Sequence, residues 1–183
     1  MRPMEVRRLT VEDAEAYRTL RLEALRTVPT AFGSSYEDHA RLPLSEFAKR
    51  VEVSESSAIY GAFEGGALVG SVGLYQEGGT KERHKAVLVG MYVAPAARRR
   101  GAARRLVKAV LEFAGRIDHV RQVKLAVEAT NVPARALYES FGFEEFGRER
   151  RALFVAGQFY DEVHMVLFLD RPQGADSGGA RSG

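Results

Sequence analysis

Six consecutive residues of this 183-residue chain, Arg98-Arg99-Arg100-Gly101-Ala102-Ala103, have types and an order suited to holding phosphate. Before them, Val87 to Val93 is apolar and β-branched, as a buried strand is. Ala94-Pro95-Ala96-Ala97 stops that strand, because proline has no N–H to give a ladder. After them, Leu106, Val107, Val110, Leu111 and Phe113 recur on one face of a helix. The helix therefore begins at small residues, where free N–H groups and the positive end of the dipole can come close to an anion. Three arginines at the rim add charge. No Gly-Lys-Ser/Thr follows, so this is not a Walker loop, and the dinucleotide pattern GxGxxG is absent. A second set lies downstream. Asn131 and Tyr138 stand seven residues apart, near one face of a helix. Asn131 suits a helix N-cap, and Tyr138 suits either a site with a working hydroxyl or a core.

The elements that must position these residues run as follows. Glu5 to Leu9 reads as a short strand. Thr10 with Asp13 is in capping-box position for a helix over 11–27, which Pro29 ends. Residues 29–36 read as a loop carrying Phe32 and Tyr36, and Pro43 starts a second helix over 43–52. Ala58–Phe63 and Ala67–Tyr75 are strands joined at Gly65-Gly66, a hairpin signal. A turn over 76–81 leads to strand 84–93. The motif helix over 101–116 is followed by strand 120–127, and such a strand–helix–strand unit is parallel and right-handed. A helix over 131–141 has Pro133 in its first turn and Gly142 at its end. Strands 144–150 and 160–169 close the domain, taken as residues 1–169. Residues 170–183 contain no large apolar side chain and read as a disordered tail.

The order β-α-α-β-β-β-α-β-α-β-β over residues 5–169 resembles that of the GNAT N-acetyltransferase superfamily. Arg98-x-x-Gly101-x-Ala103 resembles its motif A, Arg/Gln-x-x-Gly-x-Gly/Ala. Family members often carry glycine beside the first arginine, where this chain has Arg99. Residues 125–143, with Asn131, Ala134, Leu137-Tyr138 and Gly142-Phe143, resemble motif B. The resemblance implies an α/β (α+β) fold: a mixed, mostly antiparallel seven-stranded sheet with about four helices, splayed between the fourth and fifth strands. It implies acetyl-CoA as donor, with the pyrophosphate in the loop Arg98, Arg99, Arg100, Gly101, Ala102 and Ala103. Met91, Tyr92, Val93, Asn131, Ala134 and Tyr138 would complete the cofactor site, Gly90 permitting a bulge that opens it. A backbone N–H near Met91 to Val93 would polarise the acetyl carbonyl, and Tyr138 would be the general acid at sulfur. Some members carry a glutamate base on the strand before motif A; Val87 to Tyr92 has none here. Glu128, Glu37, Glu23, Tyr92, His164 and an ordered water chain stay open as the base. Phe32, Tyr36, Phe159, Tyr160 and Asp161 are candidates to line the acceptor pocket.

Composition bounds the alternatives. A chain 45% hydrophobic and 28% charged is ordinary for a soluble domain with one core. The absence of cysteine excludes disulfides, thiolate metal sites and a cysteine nucleophile. No apolar h-region opens the chain and no apolar run reaches membrane length, so a cytoplasmic protein without membrane contact is expected. The expected function is acetyl transfer to a primary amine, a small molecule or a peptide N-terminus, by direct attack in a ternary complex, by a monomer or homodimer with no metal. A silent acyl-CoA-binding or sensor domain is the alternative. A nucleic-acid module using residues 98–105 is disfavoured, because no stacking aromatics interleave with the short basic run.

Overall fold

In the computed structural model, which describes residues 3–170, seven strands form one sheet. They are β1 (Met4–Arg8), β2 (Ser57–Glu64), β3 (Ala67–Gln76), β4 (Lys85–Val93), β5 (Gln122–Glu128), β6 (Glu144–Val155) and β7 (Gln158–Phe168). The spatial order is β1-β2-β3-β4-β5-β7-β6. Every neighbouring pair is antiparallel except β4 and β5, which are parallel around the helix that joins them. Of the expected tail, all but Asp170 lies outside the described residues.

Five α-helices complete the domain: α1 (Ala14–Thr27), α2 (Tyr36–Ala40), α3 (Leu44–Val51), α4 (Ala102–Ala114) and α5 (Val132–Ser140). Short 3₁₀ turns precede α1 and α4 and follow α1. The α1 entry is pinned as its capping residues suggest. The Asp13 carboxylate accepts from the Thr10 N–H at 2.9 Å and from both ends of the Arg7 fork at 2.8 and 2.9 Å. The arginine bonds hold the Asp13 carboxyl below the usual aspartate range.

Two elements depart from the sequence reading. α2 occupies part of the stretch expected to be loop; its cap is Ser35, whose Oγ accepts from the Asp38 N–H at 3.1 Å. Five residues are too few to show helical periodicity. The last hairpin is also longer than expected. Its turn is Ala156-Gly157, both at positive φ (48° and 78°), as a two-residue hairpin turn requires. Alanine at the first of those positions carries no turn signal, so the strand ends stayed hidden.

α4 and α5 cover one face of the sheet. There Leu106, Val107 and Val110 are fully buried against Val72, Val123 and Met165. α1, α2 and α3 cover the other face, with Leu9, Phe47 and Val51 in one cluster and Leu20, Leu25, Phe32 and Tyr92 in another. Removing one of these fully buried aliphatic side chains would cost about 2–5 kcal/mol. Both faces are thus held rigidly around the centre of the sheet, where β4 and β5 part.

Candidate active site

β4 and β5 pair only at Lys85–Gln122, Ala86–Val123 and Val87–Lys124, and beyond Val87 they diverge. The cause lies in β4. Gly90 sits at φ 64°, and the β3–β4 register jumps between Ser71–Tyr92 and Gly73–Val89, so β4 carries one extra residue there. Such a bulge bends a strand and shifts its alternation. Ala86 and Leu88 face α4, as do Met91 and Val93, while Tyr92 is turned to the α1 face beside Leu20 and Phe32. The Ala94 N–H donates to Val69 O at 2.8 Å. With alternating strand polarity, the backbone groups of Met91 and Val93 therefore point to the β5 side, into the gap.

The Val93 carbonyl is met there by the Arg98 Nε–H at 2.9 Å. Arg98 thus folds back and fastens the loop to the end of β4. Arg100 pairs with Glu64 at the end of β2, at 2.8 Å. Arg104 donates to Ser140 Oγ at 2.9 Å and lies over the Phe141 ring, joining α4 to α5. Arg105 donates to the Met4 carbonyl. Of this basic run only Arg99 has no hydrogen bond or ion pair among the described residues, and it is exposed. The run is therefore a set of latches with one free cation, and not an open basic patch.

The loop ends in an anion cradle. Gly101 is the N-cap of α4 at φ 83°, without a capping side chain. The first bond of the helix runs from the Arg105 N–H to Gly101 O at 3.1 Å. The N–H groups of Gly101, Ala102, Ala103 and Arg104 have no partner in hydrogen-bonding geometry among the described residues. Arg99 is itself at φ 60°, the left-handed conformation that favours glycine, which explains why glycine suits that position of the motif. Positive φ at Arg99 and Gly101 turns the loop's amides toward one side, as in other anion-binding concavities. A Cβ built on Gly101 would meet nothing within 4 Å, so the space above the cradle is open. Residues, charge and space all fit a pyrophosphate.

At the far end of the gap stands α5. Asn131 is its N-cap, its Oδ1 accepting from the Ala134 N–H at 3.2 Å. That bond uses the oxygen and leaves the side-chain N–H₂ free to donate. Tyr138 is 5% exposed and packs edge-on to Phe143 with ring centroids 5.7 Å apart. Its hydroxyl has no hydrogen-bond partner among the described residues, and burial raises its pKa well above the usual tyrosine value. A neutral, unpartnered O–H is available to donate.

The residues expected to line an acceptor pocket lie on α1, α2 and the β6–β7 hairpin or beside them. Phe32 and Tyr36 line a cavity of about 720 Å³ that the hairpin residues 152–156 close. Phe32 is also 7% exposed and packed into the core, so it serves both purposes. Tyr160 and Asp161 do not line that cavity. The Tyr160 hydroxyl donates to Gln158. Asp161 accepts from the Arg151 N–H at 3.0 Å and from Arg148 Nε at 3.0 Å, which pins an irregularity of the hairpin and holds its carboxyl below the usual range. Phe159 is exposed and stacks on Phe154 at 4.8 Å.

Among the candidate bases, Glu128 is buried and its carboxylate accepts from Thr130 N–H (3.1 Å) and Oγ1–H (2.7 Å). His164 lies 3.4 Å from Glu149. Glu37 lines the cavity of Phe32. Glu23 and Tyr92, 69 residues apart, are brought together: the Tyr92 hydroxyl donates to Glu23 Oε1 at 2.8 Å. Burial, then that bond, raises the Tyr92 pKa. A second cavity, of about 240 Å³, opens between α1, α3 and the sheet, with Tyr17, Arg21, Arg50, Val89 and Gly90 in its wall. The sequence reading did not single out these arginines, because an arginine on a helix face reads as solvated charge.

Comparison with known proteins agrees with this geometry. The sequence model of the acetyltransferase (GNAT) family matches residues 19–143. The N-alpha-acetyltransferase RimI of Mycobacterium tuberculosis is 39% identical over 99 residues, covering 53% of this chain and 58% of that protein. The chain thus aligns with little more than half the length of that relative. Among solved structures, a GNAT-family acetyltransferase from Streptococcus pneumoniae superposes with a TM-score of 0.78 at 22% identity, over 91% of this chain and 99% of that one. A GCN5-related N-acetyltransferase from Kribbella flavida gives 0.77 at 24% identity, over 91% and 98%. The putative acetyltransferase yncA from Salmonella typhimurium, solved with its cofactor acetyl-CoA, gives 0.76 at 20% identity, over 96% and 99%. A family match that runs from within α1 through β4, the cradle and α5 as far as Phe143 means that this chain belongs to the GNAT acetyltransferase family.

Proposed function

We infer that this protein is an acetyl-CoA-dependent N-acetyltransferase that moves the acetyl group to a primary amine by direct attack in a ternary complex. One arrangement supports the reading: an unpartnered anion cradle at the start of α4 follows β4, whose pairing with β5 stops at Val87, and α5, which carries the partnerless Tyr138 hydroxyl, follows β5. When bound, acetyl-CoA supplies an acyl group already activated as a thioester. The four open amides of Gly101 to Arg104 hold the pyrophosphate, with Arg99 as the added charge. The gap beyond Val87 takes the pantetheine arm between β4 and β5. Backbone N–H groups of Met91 or Val93 donate toward the acetyl oxygen. Asn131 donates its side-chain N–H₂ to the arm. Tyr138 gives a proton, or a hydrogen bond, to sulfur as it departs. The acceptor amine, with a lysine-like pKa of about 10.4, must shed a proton before it attacks. Glu23 and Tyr92 stand on that side of β4.

A panel of primary amines assayed for thiol release tests this reading. At least one amine is expected to release coenzyme A in an acceptor-dependent way. Gly101→Glu is expected to weaken cofactor binding at least tenfold, about 1.4 kcal/mol, by filling the open space and repelling phosphate. Cofactor binding without thiol release for any amine would assign the chain to acyl-CoA binding without transfer.

A further inference from the structure

The smaller cavity carries two arginines and no carboxylate. Arg21, on α1, has no hydrogen bond or ion pair among the described residues, and its Nε is buried without a partner. Its guanidinium lies over the Phe32 ring at 4.6 Å, a cation–π contact that offers no oxygen to its fork. Arg50, on α3, is the other charged residue in the wall of the cavity; it is exposed, lies over the Phe47 ring and has no ion pair among the described residues. No carboxylate lines it. Burial, the largest influence, disfavours the charged form of Arg21; Tyr17 favours it and Arg50 disfavours it. Arg21 is partly buried, and an oxyanion at its fork would repay the hydration that the buried Nε edge has lost.

The position of Arg21 gives this charge a use. Its Nη1 is 3.6 Å from where a Cβ on Gly90 would stand, so the guanidinium rests against the bulge of β4. The opposite edge of that bulge faces the gap beside β5. The cavity lies over β2, β3 and the bulge of β4, so a group bound to Arg21 sits beside the strand that borders the proposed acetyl position. The cavity, at about 240 Å³, holds the equivalent of roughly eight waters, enough for an amino-acid-sized group.

We propose that this cavity binds an oxyanion of the acceptor, so that the amine acetylated here is a small molecule that also carries a carboxylate or a phosphate. The planar fork of Arg21 matches either oxyanion bidentately. Arg50 adds positive potential at the same cavity. Neutral amines leave Arg21 unpaired and bind more weakly for that reason. This substrate class rests on the acetyl-transfer reading above, but the site itself can be measured without catalysis.

The test uses the full chain saturated with coenzyme A and two probe pairs, glycine against glycinamide and phosphoethanolamine against ethanolamine. Binding is read by calorimetry, and thiol release is read in parallel with acetyl-CoA. At least one oxyanion probe should bind tenfold or more tighter than its neutral partner. That preference should vanish in Arg21→Met and survive in part in Arg21→Lys, which keeps the charge and loses the fork. Circular dichroism checks the fold of each variant, and Arg50→Met with Arg21→Lys carries the test if Arg21→Met does not fold. Equal binding within both pairs, or a preference undiminished in a folded Arg21→Met, overturns the proposal. A response of the glycine pair alone assigns a carboxylate, and of the phosphoethanolamine pair alone a phosphate. Oxyanion preference in binding with no thiol release for any amine would leave the site standing and sink acetyl transfer instead.

Discussion

At the Tyr138 hydroxyl, packing and chemistry make opposite demands. The ring is buried against Phe143, while the hydroxyl has no hydrogen-bond partner among the described residues. In the proposed mechanism that hydroxyl donates to the departing sulfur. Tyr138→Phe keeps the ring against Phe143, so the fold should survive and cofactor affinity should change little. Turnover under saturating cofactor should fall by roughly 10²- to 10⁴-fold, as for a lost general acid. Full turnover in a stable Phe variant would remove Tyr138 from the mechanism. The raised pKa gives the pH dependence a definite sign. The neutral phenol's contribution is fully present below the ordinary tyrosine value of about 10 and is lost as pH rises through the raised value. Wild type should therefore lose stability above about pH 10 more steeply than Tyr138→Phe, in denaturant titrations at matched pH.

At the level of elements, the bulge in β4 performs three tasks with one residue. It ends the parallel pairing with β5, turns Met91 and Val93 toward the gap, and sends Tyr92 to Glu23 on the other face. Gly90 makes this possible because φ 64° is costly for a residue with a Cβ. Sterics of the new Cβ are mild, its nearest neighbour being Arg21 Nη1 at 3.6 Å. Gly90→Val should thus lose about 1–2 kcal/mol of stability from backbone strain alone. It should also lower kcat more than it weakens cofactor binding, because the cradle on α4 is untouched while the polarising amides shift. Calorimetry and single-turnover kinetics on the one variant separate these effects. Weakened cofactor binding with unchanged kcat would show that the bulge serves only the cofactor.

For the molecule as a whole, the sheet is a platform whose two covered faces meet at the β4–β5 gap, with the anion cradle on one side and the two cavities on the other. Ligand that binds only the folded chain stabilises it by mass action, about 2.7 kcal/mol at a hundredfold excess over Kd. For a domain of this size that corresponds to a rise in Tm of roughly 5–10 °C with acetyl-CoA. An unchanged melting curve at millimolar acetyl-CoA would mean that the cradle does not hold it. Among the described residues no helix is long and apolar enough to cross a membrane.

What the sequence determined by itself was local and periodic. The strand–loop–helix around Gly101, the Gly65-Gly66 hairpin, the Asn131 cap and the Asp13 bond to Thr10 all follow from nearest-neighbour sterics and short-range hydrogen bonds. These depend on residues a few positions apart, so type and spacing suffice. The resemblance of motifs 98–103 and 125–143 to a known family extended that reading to the seven-stranded order. Tertiary structure decided the rest, because it depends on which distant groups meet. It alone distinguished the arginines: Arg98, Arg100, Arg104 and Arg105 find acceptors on other elements, and Arg99 does not. It joined Glu23 to Tyr92, drew Asp161 into the hairpin, and placed Arg21 and Arg50 in one cavity without a carboxylate. A charged side chain has the same spacing in sequence whether it is solvated, paired or buried alone, and only the packed fold determines which of these it is.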